Sequence, residues 1–264
     1  LEQKDDWEKY SLVQLLPEDV KKIEQFNATE STVYKDSMKD LLMKSFKQYQ
    51  NSIAVINEGI EYTYLDIEKM TKRLMKKLTL LANDKEVIGI LLPKGVWQIV
   101  SALATIYLDF IYMPIEVELS QAQINYCIEN VGVKAVITNE ELASKITTCD
   151  KIIKIEEILQ FHNGKDEKYD FKQTSSGLDD VRIIINTSGS SGYPKSIMLK
   201  EKSIVNCLLY TLQIFDIHSN DRAFAITNFC HDMAIFDTLG MFLCGGSIVI
   251  PDADKIKEPF HWME

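Results

Sequence analysis

Between positions 187 and 195 the chain reads Thr187-Ser188-Gly189-Ser190-Ser191-Gly192-Tyr193-Pro194-Lys195, which sets three serines, a threonine, two glycines and a lysine side by side. Glycine lets a backbone approach a ligand closely, and consecutive N–H groups turned inward form a concave anion-binding nest. The hydroxyls add donors and Lys195 adds a cation, so this stretch suits the phosphates of a nucleotide. It is not the G-x-x-x-x-G-K-[ST] loop. Counted from Gly189 the second glycine of that pattern falls on Pro194, which has no N–H and a fixed φ. That loop also opens a helix, whereas Ser196-Ile197-Met198-Leu199 reads as extended. A plain Ser/Gly surface loop is the competing explanation, and the Pro-Lys ending between two strand-like runs speaks against it.

A second constellation lies some forty residues on, at Asn228-Phe229-Cys230-His231-Asp232-Met233-Ala234-Ile235-Phe236-Asp237. It leaves a strand, Arg222 to Thr227, and enters a helix expected to continue to Cys244. Open α/β sheets bind ligands at the carboxyl ends of their strands. There Asp232 can accept charge-assisted hydrogen bonds from an ammonium group, each worth about 1.5–3 kcal/mol. Asp at a helix start is also a common N-cap, and the two roles are compatible. His231 has the chemistry of a general base.

The elements that must position these groups follow from periodicity. Val181-Arg182-Ile183-Ile184-Ile185 suits a buried strand before the Ser/Gly stretch, and Ile197-Met198-Leu199 a strand after it. Upstream, helices are expected at 37–50, 65–81, 95–108, 120–131 and 139–146, alternating from residue 87 with strands at 87–92, 110–115, 134–138 and 151–155. Strands alternating with helices of this length make βαβ units and a mostly parallel sheet. Asn57-Glu58-Gly59 is a hairpin turn between Ile53-Ala54-Val55-Ile56 and Tyr62-Thr63-Tyr64. Residues 161–180 are polar and turn-rich and read as a surface loop. Glu201 to Phe215 reads as a helix.

At 264 residues there is ample material for a core, and 46% apolar against 26% charged residues is a globular balance. A formal net charge of −10 gives a nucleic-acid role no electrostatic support. No apolar run reaches membrane-span length, and Leu1-Glu2-Gln3-Lys4-Asp5-Asp6 is too polar for a signal peptide. Five scattered cysteines without a C-x-x-C pair suit free thiols in a reducing, cytoplasmic compartment, with no zinc site. Leu1 in place of Met is expected of a fragment.

The Thr187–Lys195 stretch resembles the signature T-S-G-[ST]-T-G-x-P-K-G of the adenylate-forming superfamily. Ser191 stands where Thr is usual and Ser196 where Gly is usual. The second constellation resembles F-D-x-S-[VA]-W-E-[IM]-F-G of nonribosomal peptide synthetase adenylation domains, with Gly245-Gly246-Ser247-Ile248-Val249-Ile250 following as their G-G-x-x-V-I strand. Shorter stretches resemble the same family: Tyr62 to Ile67 its first core motif, Leu108 to Glu116 its second, and Phe26-Asn27-Ala28-Thr29 the lead-in after a condensation domain.

The resemblance implies an α/β fold, a mostly parallel sheet flanked by helices that forms the N-terminal part of an adenylate-forming domain over 36–264, with 1–35 as a linker. It implies activation of an amino acid with ATP and Mg²⁺ for loading onto the phosphopantetheine arm of a carrier protein, in antibiotic or siderophore biosynthesis. Thr187, Ser188, Gly189, Ser190, Ser191, Gly192 and Lys195 would hold the β- and γ-phosphates. Asp232 would take the α-amino group, His231, Met233 and Phe236 would line the substrate pocket, and no metal ligand falls in this stretch. The family's later motifs, a magnesium-binding Glu, a ribose-binding Asp and a C-terminal Lys, are not present, so this stretch is expected to be inactive alone. Two other readings are an acyl- or aryl-CoA ligase, disfavoured because a buried Asp232 would lack an ammonium partner, and a non-catalytic docking scaffold.

Overall fold

A computed structural model describes residues 16–28, 36–83, 85–160, 177–187, 193–253 and 255–263. The chain divides into two units, Leu1–Val33 and Tyr34–Glu264. In the first, helix α1 (Pro17–Asn27) starts with Pro at its first turn and Glu18 and Asp19 beside its positive end. It buries no residue.

The second unit is built on two sheets. Helix α2 (Met38–Gln48) is capped by Ser37, whose hydroxyl accepts from the Asp40 N–H, and it buries Met38, Leu42 and Phe46. Strands β1 (Ile53–Asn57) and β2 (Ile60–Thr63) pair antiparallel. Their turn holds Glu58 and Gly59 at φ of 52° and 71°, the paired positive values that match the twist of the strands. The strand expected to run through Tyr64 ends one residue earlier. Thr63 and Asp66 form a reciprocal capping box that starts helix α3 (Tyr64–Leu78). Tyr64 thereby turns inward, where its hydroxyl donates to the Gly246 carbonyl at 2.6 Å. Its ring meets Phe46 and Phe242 edge to face, at 4.9 and 5.6 Å between centroids.

Strand β3 (Val87–Leu91), helix α4 (Val96–Tyr107), strand β4 (Ile111–Pro114), helix α5 (Gln121–Val131), strand β5 (Ala135–Thr138), helix α6 (Glu140–Ala143) and strand β6 (Ile152–Lys154) alternate as the periodicity predicts, and helix α7 (Ile155–Gln160) follows without having been expected. The expected surface loop falls largely on 161–176, outside the described residues. Strands β7 (Val181–Thr187) and β8 (Lys195–Lys200) complete a six-stranded sheet in the order β6-β5-β3-β4-β7-β8, parallel except for the β7–β8 hairpin. Helix α8 (Glu201–Ile214) follows, then strand β9 (Arg222–Phe224).

The helix expected to run on to Cys244 is not uniform. It holds a π-helical turn, Phe236–Gly240, before helix α9 (Met241–Cys244). Strand β10 (Ser247–Ile250) then pairs parallel with both β1 and β9, giving a second sheet in the order β2-β1-β10-β9. Gly245 makes the turn into it at φ 81°, where a Cβ would fall 2.3 Å from the Tyr49 ring, so only glycine fits.

One buried cluster sets the root of the β7–β8 hairpin. The Arg182 Nε donates to Glu201 Oε2 at 2.9 Å, and Glu201 Oε1 accepts the Met38 N–H at 2.8 Å. Lys39 Nζ donates to Asp109 Oδ2 at 2.9 Å, and Asp109 Oδ1 lies 3.6 Å from the Arg182 guanidinium. None of these four side chains is more than 6% exposed as a residue. Asp109 takes φ 56° to reach this position.

Candidate functional site

Strands β7 and β8 run in register from Val181 opposite Lys200 to Thr187 opposite Lys195. Thr187 and Lys195 are therefore the facing ends of an antiparallel hairpin. Thr187 Oγ1 donates to the Lys195 carbonyl at 3.3 Å. On the way into β8 the Tyr193 ring lies 4.6 Å from that of Tyr126 on α5. Ser188, Gly189, Ser190, Ser191 and Gly192 lie outside the described residues. Lys195 is exposed at the first position of β8.

Beside the ends of this hairpin lies a hollow of about 470 Å³. The carboxyl end of β4 contributes Pro114 and Glu116, β7 contributes Ile185, Asn186 and Thr187, and Pro194, Ile197 and Leu199 line the β8 side. Cys230, His231 and Asp232 close it. Thr187, His231 and Asp232, far apart in sequence, thus share one cavity at the carboxyl ends of parallel strands. Met233 and Phe236, expected to line the pocket, are not part of this lining. Met233 is 69% exposed. The half-buried Phe236 ring instead lies over Gly240, where a Cβ would fall 2.6 Å from ring carbon Cδ2.

The segment carrying His231 and Asp232 is tied down from three sides. Lys94 Nζ donates to the carbonyls of Ala225 and Thr227 at 2.6 and 2.7 Å. Burial pushes the Lys94 ammonium below the ordinary lysine range, against the opposing pull of Asp237. Asp237 Oδ2 accepts the Thr227 N–H at 3.3 Å. Asn228 Nδ2 donates to Glu116 Oε2 at 2.6 Å while its Oδ1 accepts the Cys230 N–H at 2.9 Å. Phe229 stacks parallel to Tyr112 of β4 at 6.1 Å. Burial holds the Cys230 thiol well above the usual thiol range, and the Glu116 carboxylate adds to it.

Asp232 is exposed, which corrects the expectation of a buried charge. Its Oδ1 accepts the N–H of the adjacent Met233 at 2.8 Å, which is not the bond to the second or third residue beyond that defines an N-cap. The physical reason is its place on a turn at the cavity rim rather than inside a strand. Sequence reasoning missed Lys94, Glu116, Asn186, Asn228 and Cys230. Glu116 follows the Met113-Pro114-Ile115 strand end and Asn186 directly precedes the Ser/Gly stretch, so position alone could have flagged both. Nothing in the sequence flags Lys94.

Among the described residues no group of three or more His, Cys, Asp or Glu side chains is arranged to hold a metal ion. No helix of the described residues is long and apolar enough to cross a membrane.

The AMP-binding enzyme family matches residues 42–264. The chain belongs to this family. It is 26% identical over 255 residues to a dimodular nonribosomal peptide synthase of Bacillus subtilis (strain 168), a match covering 93% of this chain and 10% of that protein. Gramicidin S synthase 2 of Brevibacillus brevis is 28% identical over 221 residues, covering 83% of this chain and 5% of that one. Among solved structures, the AMPPNP-bound form of the nonribosomal peptide synthetase FmoA3 superposes with a TM-score of 0.83 at 19% identity, over 94% of this chain and 26% of that chain. The N-terminal subdomain of Klebsiella oxytoca NpsA gives 0.72 at 16% identity, over 81% and 54%. The chain is similar to the N-terminal part of synthetase adenylation domains and spans a small share of the synthetases it matches.

Proposed function

We propose that this AMP-binding family chain contributes the phosphate loop and the amino-group contact of a domain that activates an amino acid as its aminoacyl-adenylate. The observation that carries this reading is the single hollow that joins Thr187 and Pro194, which flank the Ser/Gly loop, to His231 and Asp232. In the reaction a substrate carboxylate oxygen attacks the α-phosphorus of ATP. The bond to the β,γ-diphosphate breaks, and pyrophosphate leaves with its electron pair. No proton has to be removed, so the protein's task is positioning and charge stabilisation. Thr187 to Gly192 and Lys195 would bear on the β- and γ-phosphates. Asp232 would hold the ammonium group and His231 would wall the carboxylate. Met233 and Phe236, outside the lining described here, would bound the side chain of the amino acid from the helix that follows. Mg²⁺ accompanies the nucleotide in this reading and is assigned no ligand among these residues.

We further propose that residues 1–35 lead in from a condensation domain. The activated acyl group passes to the thiol of a carrier-protein phosphopantetheine arm, in the cytoplasm. The Klebsiella NpsA–ThdA fusion of an adenylation domain with a carrier domain, a structure this chain resembles with a TM-score of 0.70 at 16% identity, lends this partner support.

Asp232→Ala in the native protein that carries this sequence tests the substrate class. Amino-acid-dependent pyrophosphate exchange should fall about tenfold or more relative to exchange with the deaminated analogue, the scale of one charge-assisted hydrogen bond. Equal losses with both substrates favour the acyl- or aryl-CoA ligase reading, which gains support from the exposure of Asp232 because an exposed carboxylate needs no ammonium partner. No binding of AMP-PNP by calorimetry favours the docking scaffold.

A further inference from the structure

The walls of the hollow come from two different sheets. Ile185, Thr187, Ile197 and Leu199 belong to the β7–β8 hairpin and Glu116 follows β4, both parts of the six-stranded sheet. Cys230, His231 and Asp232 ride instead on the segment that leaves β9 of the four-stranded sheet. A phosphate loop on one wall can work with an amine contact on the other only if the two sheets meet at a fixed spacing.

Two side chains just past the carboxyl ends of the adjacent parallel strands β3 and β4 reach across to that segment. Glu116, after β4, accepts the Asn228 amide. Lys94, after β3, donates to the carbonyls of Ala225 and Thr227 at 2.6 and 2.7 Å, two charge-assisted bonds where Glu116 makes one. Thr227 is clamped between opposite charges, because its N–H donates to Asp237 Oδ2 on the π-helical turn while its carbonyl takes Lys94. The Thr227–Asp237 bond closes the loop that carries His231 and Asp232, so the Lys94 ammonium anchors that loop at its closure. Packing does not call for a half-buried ammonium here. Taking charge out of water is costly, burial already weakens the hold of Lys94 on its proton, and an apolar side chain would fill the same space.

We propose that Lys94 is a positioning residue: it fixes the spacing between Asp232 and the phosphate-loop hairpin, so that substrate and nucleotide meet in reacting geometry, and it touches neither. This rests on the amino-acid reading above and extends it to the joint between the two sheets.

The test uses the native protein carrying this sequence, with Lys94→Met, Lys94→Gln, Lys94→Arg, Asn57→Ala and Asp232→Ala, and far-UV circular dichroism melts to choose a temperature at which each is folded. Asn57→Ala is the control. Asn57 Oδ1 accepts the Val96 N–H at 3.0 Å, a buried bond to the same turn that does not reach the loop of Asp232. Pyrophosphate exchange with the twenty common amino acids, and with the deaminated analogue of the best of them, gives kcat and KM. Calorimetry gives the Kd of AMP-PNP. Lys94→Met should lower kcat about a hundredfold, the scale of a misplacement of about 1 Å. The AMP-PNP Kd should move by less than about threefold, because no nucleotide contact is lost. Lys94→Gln keeps a donor and Lys94→Arg keeps the charge in a different shape, so each should recover part of the loss. Asn57→Ala should lower the melting temperature and leave kcat within about threefold. The glutamine and arginine variants carry the test if the methionine protein does not fold.

An unchanged kcat in the folded Lys94 variants overturns the proposal. An equal loss of kcat in Asn57→Ala overturns it in favour of general loosening of the turn. An equal loss of AMP-PNP affinity overturns it in favour of a nucleotide contact. If Asp232→Ala abolishes the preference for the amino acid over its deaminated analogue while Lys94→Met leaves kcat alone, the amino-acid reading stands and the Lys94 assignment falls. If the wild type gives no exchange with any amino acid, both fall.

Discussion

Acidic side chains gather near both ends of strands β4 and β7, and the two ends are built on opposite principles. Before β4 and early in β7, Asp109 meets Arg182 and Lys39, and Glu201 meets Arg182 and the Met38 N–H, with every partner buried. Beyond the other ends of the same strands, roughly 17 Å away at about 3.3 Å per residue, Glu116 is half-buried and Asp232 exposed around an open hollow. One set of carboxylates is matched inside the protein and holds elements together. The other is tethered on one side and leaves bonding capacity facing a cavity. Carboxylates of the same two types differ here in whether the fold supplies their partners.

The contrast is open to attack first at the closed end. Glu201→Leu should cost about 3–5 kcal/mol in urea unfolding, because it strands the Arg182 charge in the core. The double variant Arg182→Leu with Glu201→Leu should recover part of that loss. A cost below about 1 kcal/mol for the single variant would erase the distinction between the two ends.

Next comes the tether of the open end. Asn228→Ala removes the bonds to Glu116 and to the Cys230 N–H and should cost about 1 kcal/mol. It should also speed alkylation of Cys230, read by peptide mass mapping against the exposed Cys207. The third expectation is a near-absence of effect. Asp232→Ala should shift unfolding by no more than about 0.5 kcal/mol, since an exposed side chain with one local hydrogen bond contributes little, even as it changes substrate preference.

The last is a pH effect. Burial raises the thiols of Cys127, Cys149, Cys230 and Cys244 in the folded chain. A group whose folded pKa lies above its unfolded value stabilises fully below the unfolded pKa, and that contribution is lost as pH rises through the folded one. Stability should therefore decline gently from about pH 8.5, the unperturbed thiol value. The decline should shrink in Cys230→Ala. A flat profile from pH 8 to 10 would show that these thiols are not shielded.

The parallel strands and their helices were legible because apolar periodicity is a local property, readable over a dozen residues. The hairpin around the Ser/Gly stretch was legible for the same reason, since Ile183-Ile184-Ile185 and Ile197-Met198-Leu199 bracket it within the chain. Tyr64 was misassigned because the capping box of Thr63 and Asp66 outweighs the β propensity of an aromatic residue. Phe236 was aligned by resemblance to a pocket position, and only the structure shows that its ring lies over Gly240.

By itself, the amino-acid sequence determined the α/β class, the alternation of elements, the hairpin loop and the nearness of Asp232 to a helix start, all consequences of residues close in the chain. Only the tertiary structure decided that β10 pairs with β1 nearly two hundred residues away, that Lys39, Asp109, Arg182 and Glu201 close on one another, and that Glu116 lines the same hollow as Asp232. The reason is that burial and partner choice depend on which distant segments are brought together, and a side chain's charge acquires a role only once its neighbours are in place.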